Sequence, residues 1–209
     1  VLFGVRPCDA HGLQALDALF ISTDPIDTYY AQRREKSVLI GLACKEMEQS
    51  CFCTSMGSAP DDPRHLDVLL EEVVGGYLVQ TVTEKGIALQ DRIPMITKPF
   101  SGERVKKEWS KIQAVLEYPP LDAWRLSFND PYWDTVSEIC LSCRACAYVC
   151  PTCRCFDVRD EPLTNQAETL LYERIRCWDS CAGEAYRRIA GGHNPRPEKG
   201  QRLKNRFYC

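Results

Sequence analysis

The residues best able to do chemistry lie in one run, Cys140-Leu141-Ser142-Cys143-Arg144-Ala145-Cys146-Ala147-Tyr148-Val149-Cys150-Pro151. Three cysteines recur at every third position, a fourth follows four residues later, and a proline closes the stretch. That is the ligand spacing of a bacterial-type ferredoxin. Three thiolates from one short coil grip three corners of a cubane, and the fourth ligates a neighbouring cluster. Thiolates are soft donors, suited to iron–sulfur clusters or to zinc. Zinc sites, however, pair two C-x-x-C units or add histidines, and the nearest histidine, His193, lies far downstream. Pro151 removes an N–H donor and stops the coil from continuing as a helix. The run predicts a 4Fe–4S site.

The ligand account does not close within this run. Cys140, Cys143 and Cys146 need a fourth donor, and Cys150 belongs to a second cube in the two-cluster pattern. No second run of the same spacing occurs. The partner motif is expected beyond Cys209 in a longer parent, with Cys153, Cys155, Cys177 and Cys181 as the alternative donors. Cys153, Cys155 and Cys181 form a second group. They either ligate, tune a cluster through nearby S–H and N–H groups, or pack as reduced thiols, and ligation is the favoured reading. A third group, Cys8, Cys44, Cys51 and Cys53, falls at strand ends and in an adjoining loop. It suits a further, non-ferredoxin cluster, with a buried structural role as the alternative. The roles of Cys177 and Cys209 stay open.

Other residues carry weaker signals. His11 and His65 read as helix or loop histidines, and His193 as part of a Gly-Gly-His-Asn-Pro turn. Gly75-Gly76 reads as a hairpin turn. No G-x-G-x-x-G or Walker motif occurs, and no Ser/His/Asp or Cys/His arrangement marks a hydrolase. No catalytic residue is assigned to this chain.

Elements must position the thiols. Val1–Val5 reads as a strand, Ala10–Phe20 as a helix capped by Asp9, and Asp24-Pro25 as the start of a second helix running to about Glu35. Val38–Ala43 reads as a second strand, which makes a βαβ-like unit with both strand ends at one sheet edge. Two strands then flank Gly75-Gly76, and Glu84-Lys85-Gly86 ends the second. Glu103–Leu116 reads as an amphipathic helix whose charges, Lys107 among them, form a solvated face. Asp130-Pro131 starts a short helix into the cluster run, Thr164–Trp178 reads as a helix, and Ala190–Pro197 as a loop before the basic Arg202–Arg206 segment. The expected organisation is an α/β (α+β) N-terminal domain over 1–100, a helical connector over 101–138, and a mostly helical, ferredoxin-like cluster domain over 139–209.

Length and composition bound the function. The chain has 209 residues, 44% of them hydrophobic, which allows one large domain or two small ones. A net charge of −3 gives no basic field for nucleic acid, and no apolar run is long enough for a membrane span. Thirteen cysteines in close, ligand-like clusters suit metal better than disulfides, and their odd number prevents complete pairing. A reducing, cytoplasmic setting follows. The chain opens on a strand already under way, without Met, and closes without a terminating feature, so a fragment of a longer polypeptide is expected.

At family level the motifs have a match. Gly4-Val5-Arg6-Pro7-Cys8-Asp9, Asp24…Tyr29-Tyr30…Arg33-Arg34 and Gly41…Cys44…Cys51-Phe52-Cys53-Thr54-Ser55-Met56-Gly57 carry the first half of the likeness. Cys150-Pro151-Thr152-Cys153-Arg154-Cys155-Phe156-Asp157 and Trp178-Asp179-Ser180-Cys181…Ala190-Gly191-Gly192-His193-Asn194-Pro195-Arg196-Pro197 carry the second. Together they resemble the iron–sulfur β subunit of cytoplasmic sulfhydrogenase-type NiFe hydrogenases, and the corresponding 4Fe–4S dicluster subunit of anaerobic sulfite reductases. The resemblance implies an electron-transfer subunit working between a flavin subunit that handles NAD(P)H and a partner bearing the catalytic metal centre. It implies two ferredoxin-type 4Fe–4S clusters in the full parent, beside the further N-terminal centre. The family's second C-x-x-C-G-x-C…C-P motif, which follows the Arg-Phe segment, is absent here.

Overall fold

The computed structural model describes residues 1–93, 102, 107, 109, 115–163, 171–186 and 188–208. The chain divides into two compact units, Val1–Tyr118 and Pro119–Cys209.

The first unit is built on a four-stranded sheet of order β1-β2-β3-β4, comprising β1 (Leu2–Val5), β2 (Leu39–Leu42), β3 (Val68–Val73) and β4 (Gly76–Thr81). The first three strands are parallel, and β3 and β4 form the antiparallel hairpin that Gly75-Gly76 predicts. Helices α1 (Pro7–Phe20) and α2 (Thr28–Lys36) make the crossover from β1 to β2. Ala10 of α1 joins Leu39, Ala43, Leu66 and Leu69 in the core, with Val5 and Leu13 packed against them. Gly41 is required by this packing, because a Cβ there would fall 2.2 Å from Leu66 Cδ1. Asp17 of α1 accepts from the Tyr30 hydroxyl at 2.8 Å and from Arg34 Nε at 3.1 Å, which fixes α2 to α1.

Several local expectations shift. Helix α1 begins at Pro7, with Arg6 as N-cap and no side-chain cap, so Asp9 lies inside its first turn. Proline at the first helical position explains the early start: its missing N–H is unneeded there and its φ is already helical. Asp27, not Asp24, caps α2, accepting from the Tyr30 N–H at 2.9 Å. Beyond β4 the chain re-enters a helix, α3 (Glu84–Asp91), because the Thr83 hydroxyl accepts from the Gly86 N–H. Of the expected helix over 103–116, only residues 107, 109, 115 and 116 are described, and none of these is helical; the rest lies outside the described residues. Lys107 is not a solvated charge, since its amine pairs with Asp61 at 2.9 Å and Glu71 at 3.0 Å.

The second unit contains α4 (Leu121–Leu126), α5 (Tyr132–Ser137), α6 (Ala145–Val149), the hairpin β5 (Phe156–Pro162) with β6 (Tyr172–Trp178), and α7 (Lys199–Tyr208). The helix expected over Thr164–Trp178 is therefore corrected where it is described: 172–178 is a strand. Ile175 and Cys177 alternate with more exposed neighbours, a period of two that the coincident spacing of Leu171, Ile175 and Trp178 obscured. Trp124, Phe128, Trp133, Phe207 and Tyr208 form an aromatic core, with Trp124 stacked on Tyr208 at 4.8 Å and Trp133 against Phe207 at 5.4 Å. Gly200 lets α7 approach α5, since a Cβ there would fall 2.1 Å from Asp134 Oδ1.

Candidate iron–sulfur site

The cluster run follows α5 directly. Cys140 begins it, its N–H donating to the Ser137 carbonyl at 2.9 Å. Ser142 and Arg144 both take left-handed backbone (φ 54° and 64°), which non-glycine residues rarely adopt. Two such residues on either side of Cys143 coil the chain tightly without making it a helix. The Ser142 N–H points at Cys140 Sγ, 3.4 Å away. Cys146 then rides on the short helix α6, and Cys150 turns the backbone to an extended conformation ahead of Pro151.

Helix α7 braces this coil. Its aromatic and glycine side, with Gly200, Lys204, Phe207 and Tyr208, faces the α4 and α5 region. The other side carries Lys199, Arg202 and Arg206, three and four residues apart, so they share one helical face. Lys199 Nζ donates to the Cys140 carbonyl at 3.0 Å. The Arg206 guanidinium acts electrostatically on the Cys150 thiol, which lies 3.1 Å from the Thr152 hydroxyl. Burial pushes the Cys150 thiol up, but Thr152 and the Arg206 cation outweigh it and hold the thiol below its usual value. Cys153 is pushed up by burial and by the neighbouring Cys155 and Cys150, with Arg206 opposing. Arg202 is buried, and its Nε has no hydrogen-bond partner.

A second brace holds Cys155 and Cys181. The Asp179 N–H donates to the Cys155 carbonyl at 3.0 Å. Arg144 Nη1 reaches Asp179 Oδ1 at 3.4 Å, and its guanidinium lies so close to Gly183 that a Cβ there would be 2.8 Å away. Cys181, buried beside fully buried Ser180, is thus fixed in a turn gripped from the middle of the cluster run. Cys177 lies on the exposed hairpin, opposite Asp157 and 3.5 Å from Arg159 Nη2. Cys209 lies outside the described residues.

In the first unit, Cys8 occupies the first turn of α1, Cys44 lies just after β2, and Cys51 and Cys53 sit in the next loop. None of the twelve described cysteines is in a disulfide. His11 and His65 stack at 4.9 Å, and the His193 carbonyl accepts from Ile189 in a closed turn. Desolvation and the neighbouring His11 push the His65 imidazole below its usual value.

The donors fit iron–sulfur chemistry. They are soft, reduced and braced, with N–H groups aimed at sulfur. Among the described residues no three His, Cys, Asp or Glu side chains converge tightly enough for one metal ion. Sequence reasoning missed Arg144, Lys199 and Arg206. The spacing of Lys199, Arg202 and Arg206 is the available signal, but without their partners the segment shows only its basic character.

Residues 139–209 match a family model described as a 4Fe-4S dicluster domain. Over its whole length the chain is 36% identical, across 222 aligned residues, to a protein of Pyrococcus furiosus described as Sulfhydrogenase 2 subunit beta. The chain spans 63% of that protein's length. No solved structure matches. The chain is thus similar along its whole length to a sulfhydrogenase β subunit, and its cysteine run lies in the stretch that matches a 4Fe-4S dicluster domain.

Proposed function

We propose that this chain is an electron-transfer subunit of a hydrogenase (sulfhydrogenase) complex. It would relay single electrons between a flavin subunit that handles NAD(P)H and a subunit bearing the catalytic metal centre. Cys140, Cys143, Cys146 and Cys150 would hold ferredoxin-type clusters, with Cys153, Cys155 and Cys181 as added donors or tuning groups. Residues 139–209 are read as a ferredoxin-like domain and residues 1–100 as an α/β domain with its own centre. A 4Fe–4S cluster bound there supplies one-electron transfer at a potential set by charge and by hydrogen bonds to sulfur.

The observation that carries this reading is the double bracing of the cluster run, by α7 at Cys140 and Cys150 and by Asp179 at Arg144. The chain's residues position thiols and present charge to them, which a relay needs and a substrate pocket does not. The described cysteines, none of them in a disulfide, fit a reducing cytoplasm. Among the described residues no helix is long and apolar enough to cross a membrane.

Iron and acid-labile sulfide analysis of anaerobically prepared protein, with EPR of the reduced state, tests the proposal. Stoichiometric sulfide and a 4Fe–4S signal lost in Cys143→Ser and Cys146→Ser are expected. A protein holding zinc and no sulfide would overturn it. Turnover of a sulfur compound by the isolated chain with an artificial donor would instead favour a catalytic subunit of the sulfite-reductase type.

A further inference from the structure

Arg202 is a buried cation without a counter-charge. The residue is only 6% exposed, and a guanidinium stays protonated in a protein. Its Nη1 donates to the carbonyls of Arg196, at 3.1 Å, and of Pro197, both of them neutral. Its Nε, buried as deeply, has no acceptor. Among the described residues no carboxylate lies within ion-pair reach of it. Glu198, one turn earlier on the same helix, is exposed. Burial of a charge is costly unless an opposite charge accompanies it. A guanidinium held in place by neutral carbonyls, with one N–H left over, is suited to an anion.

Its place on α7 says which anion. Arg202 lies three residues after Lys199, which donates to the Cys140 carbonyl, and four before Arg206, which acts on Cys150 and Cys153. All three share the helical face that meets the cysteine run. A helical side chain leans back over the preceding turn, so the guanidinium lies over the start of α7, the end from which Lys199 reaches Cys140. The loop it grips is fixed in turn. Asn194 Oδ1 accepts from the Arg196 N–H at 2.9 Å, and its Nδ2 donates to the Glu184 carbonyl at 2.7 Å, in the turn that follows Cys181.

We infer that Arg202 is the buried counter-charge of the cluster held by the cysteine run. The inference rests on the relay reading and adds a residue to it. A thiolate-bound cluster is a net anion, and it gains one more negative charge when its donor subunit passes it an electron. A fixed cation nearby therefore raises its potential. Arg206 acts from a half-exposed position, whereas Arg202 is screened by little water and acts more strongly.

The test uses the full chain, prepared anaerobically, with circular dichroism as the check on folding. Iron and acid-labile sulfide are counted first. Their absence from the unaltered protein overturns the relay reading, and the inference with it. Potentiometric titration followed by EPR then compares Arg202→Gln, Arg202→Lys and Asn194→Ala. Arg202→Gln is expected to disfavour reduction by more than about tenfold, or about 59 mV for one electron, and by more than Arg206→Gln does. Arg202→Lys keeps the charge and should keep most of the midpoint. Asn194→Ala frees the loop without changing charge and should leave the midpoint in place. Should Arg202→Gln not fold or not retain iron, retention by Arg202→Lys supports the charge role and loss in both overturns it. An unchanged midpoint in Arg202→Gln at full iron overturns the inference alone. An equal shift in Asn194→Ala does so too, since Arg202 would then be no more than a latch on the loop.

Discussion

Arg206→Gln should lower the reduction potential of the cluster that Cys150 is proposed to ligate. The guanidinium, in the last turn of α7, acts electrostatically on the Cys150 sulfur and on Cys153 as well. Reduction adds one negative charge to the cluster, so a nearby cation stabilises the reduced form more than the oxidised form. Two unit charges about 4 Å apart interact by about 1 kcal/mol in water and about 4 kcal/mol at an effective dielectric constant near 20. Arg206 is half-exposed, which places its effect toward the lower end of that span. A shift near 1.4 kcal/mol is a factor of about ten in the one-electron equilibrium, or about 59 mV. Arg206→Gln should therefore move the midpoint down by about 60 mV, and Arg206→Lys, which keeps the charge, by much less. Potentiometric titration followed by EPR, on protein with verified iron content, measures both. A midpoint unchanged within about 10 mV at full iron occupancy, or one that rises, would refute the argument.

Three further perturbations test the scaffold. Trp133→Ala should cost about 3–5 kcal/mol, because Trp133 is buried among Trp124, Phe207 and Tyr208; denaturant melts check this, and iron should be lost too as α7 loosens. Gly86→Ala should destabilise the first unit by about 1–3 kcal/mol, since the new Cβ would lie 2.0 Å from the Asp67 carbonyl oxygen; an unchanged thermal midpoint would contradict that geometry. Hydrogen bonds from Arg64 and Ser58 hold the Asp62 carboxyl well below the usual carboxylate range. Its contribution to stability is thus present above the unfolded value of about 4 and lost as pH falls toward the lower folded value. Asp62→Asn should be less stable at neutral pH, and its deficit should shrink below about pH 4; a constant gap across pH 3–7 would count against the carboxylate's role.

The parts of the fold that were legible share one property: their signal is local. The parallel pairing of β1 and β2 followed from two short apolar runs separated by helical spacing, and the hairpin from two glycines. The cysteine run stood out because its four cysteines lie close together in sequence. What escaped depends on partners distant in sequence. Lys107 looked solvated until Asp61 and Glu71 came into reach. β6 imitated a helix because Leu171, Ile175 and Trp178 fit both periods, and only pairing with β5 selects the strand. The Arg202–Arg206 segment read only as basic, because its helical face is defined by what lies on either side of it.

That segment changes how the cysteine run should be understood. Thiolates with glycine-free, left-handed backbone at Ser142 and Arg144 carry an internal strain of order 1–3 kcal/mol per residue, so the run does not hold its shape alone. Arg144 is both a strained residue and an anchor: the backbone conformation that coils the thiols is fixed by the same side chain that pairs with Asp179 and packs on Gly183. α7 does the same from the other end, joining an aromatic core on one face to Cys140 and Cys150 on the other. The thiol geometry is therefore set by the packing of Trp133 and Tyr208 as much as by the cysteine spacing. A substitution in that aromatic core should reach the iron as surely as one in the run itself.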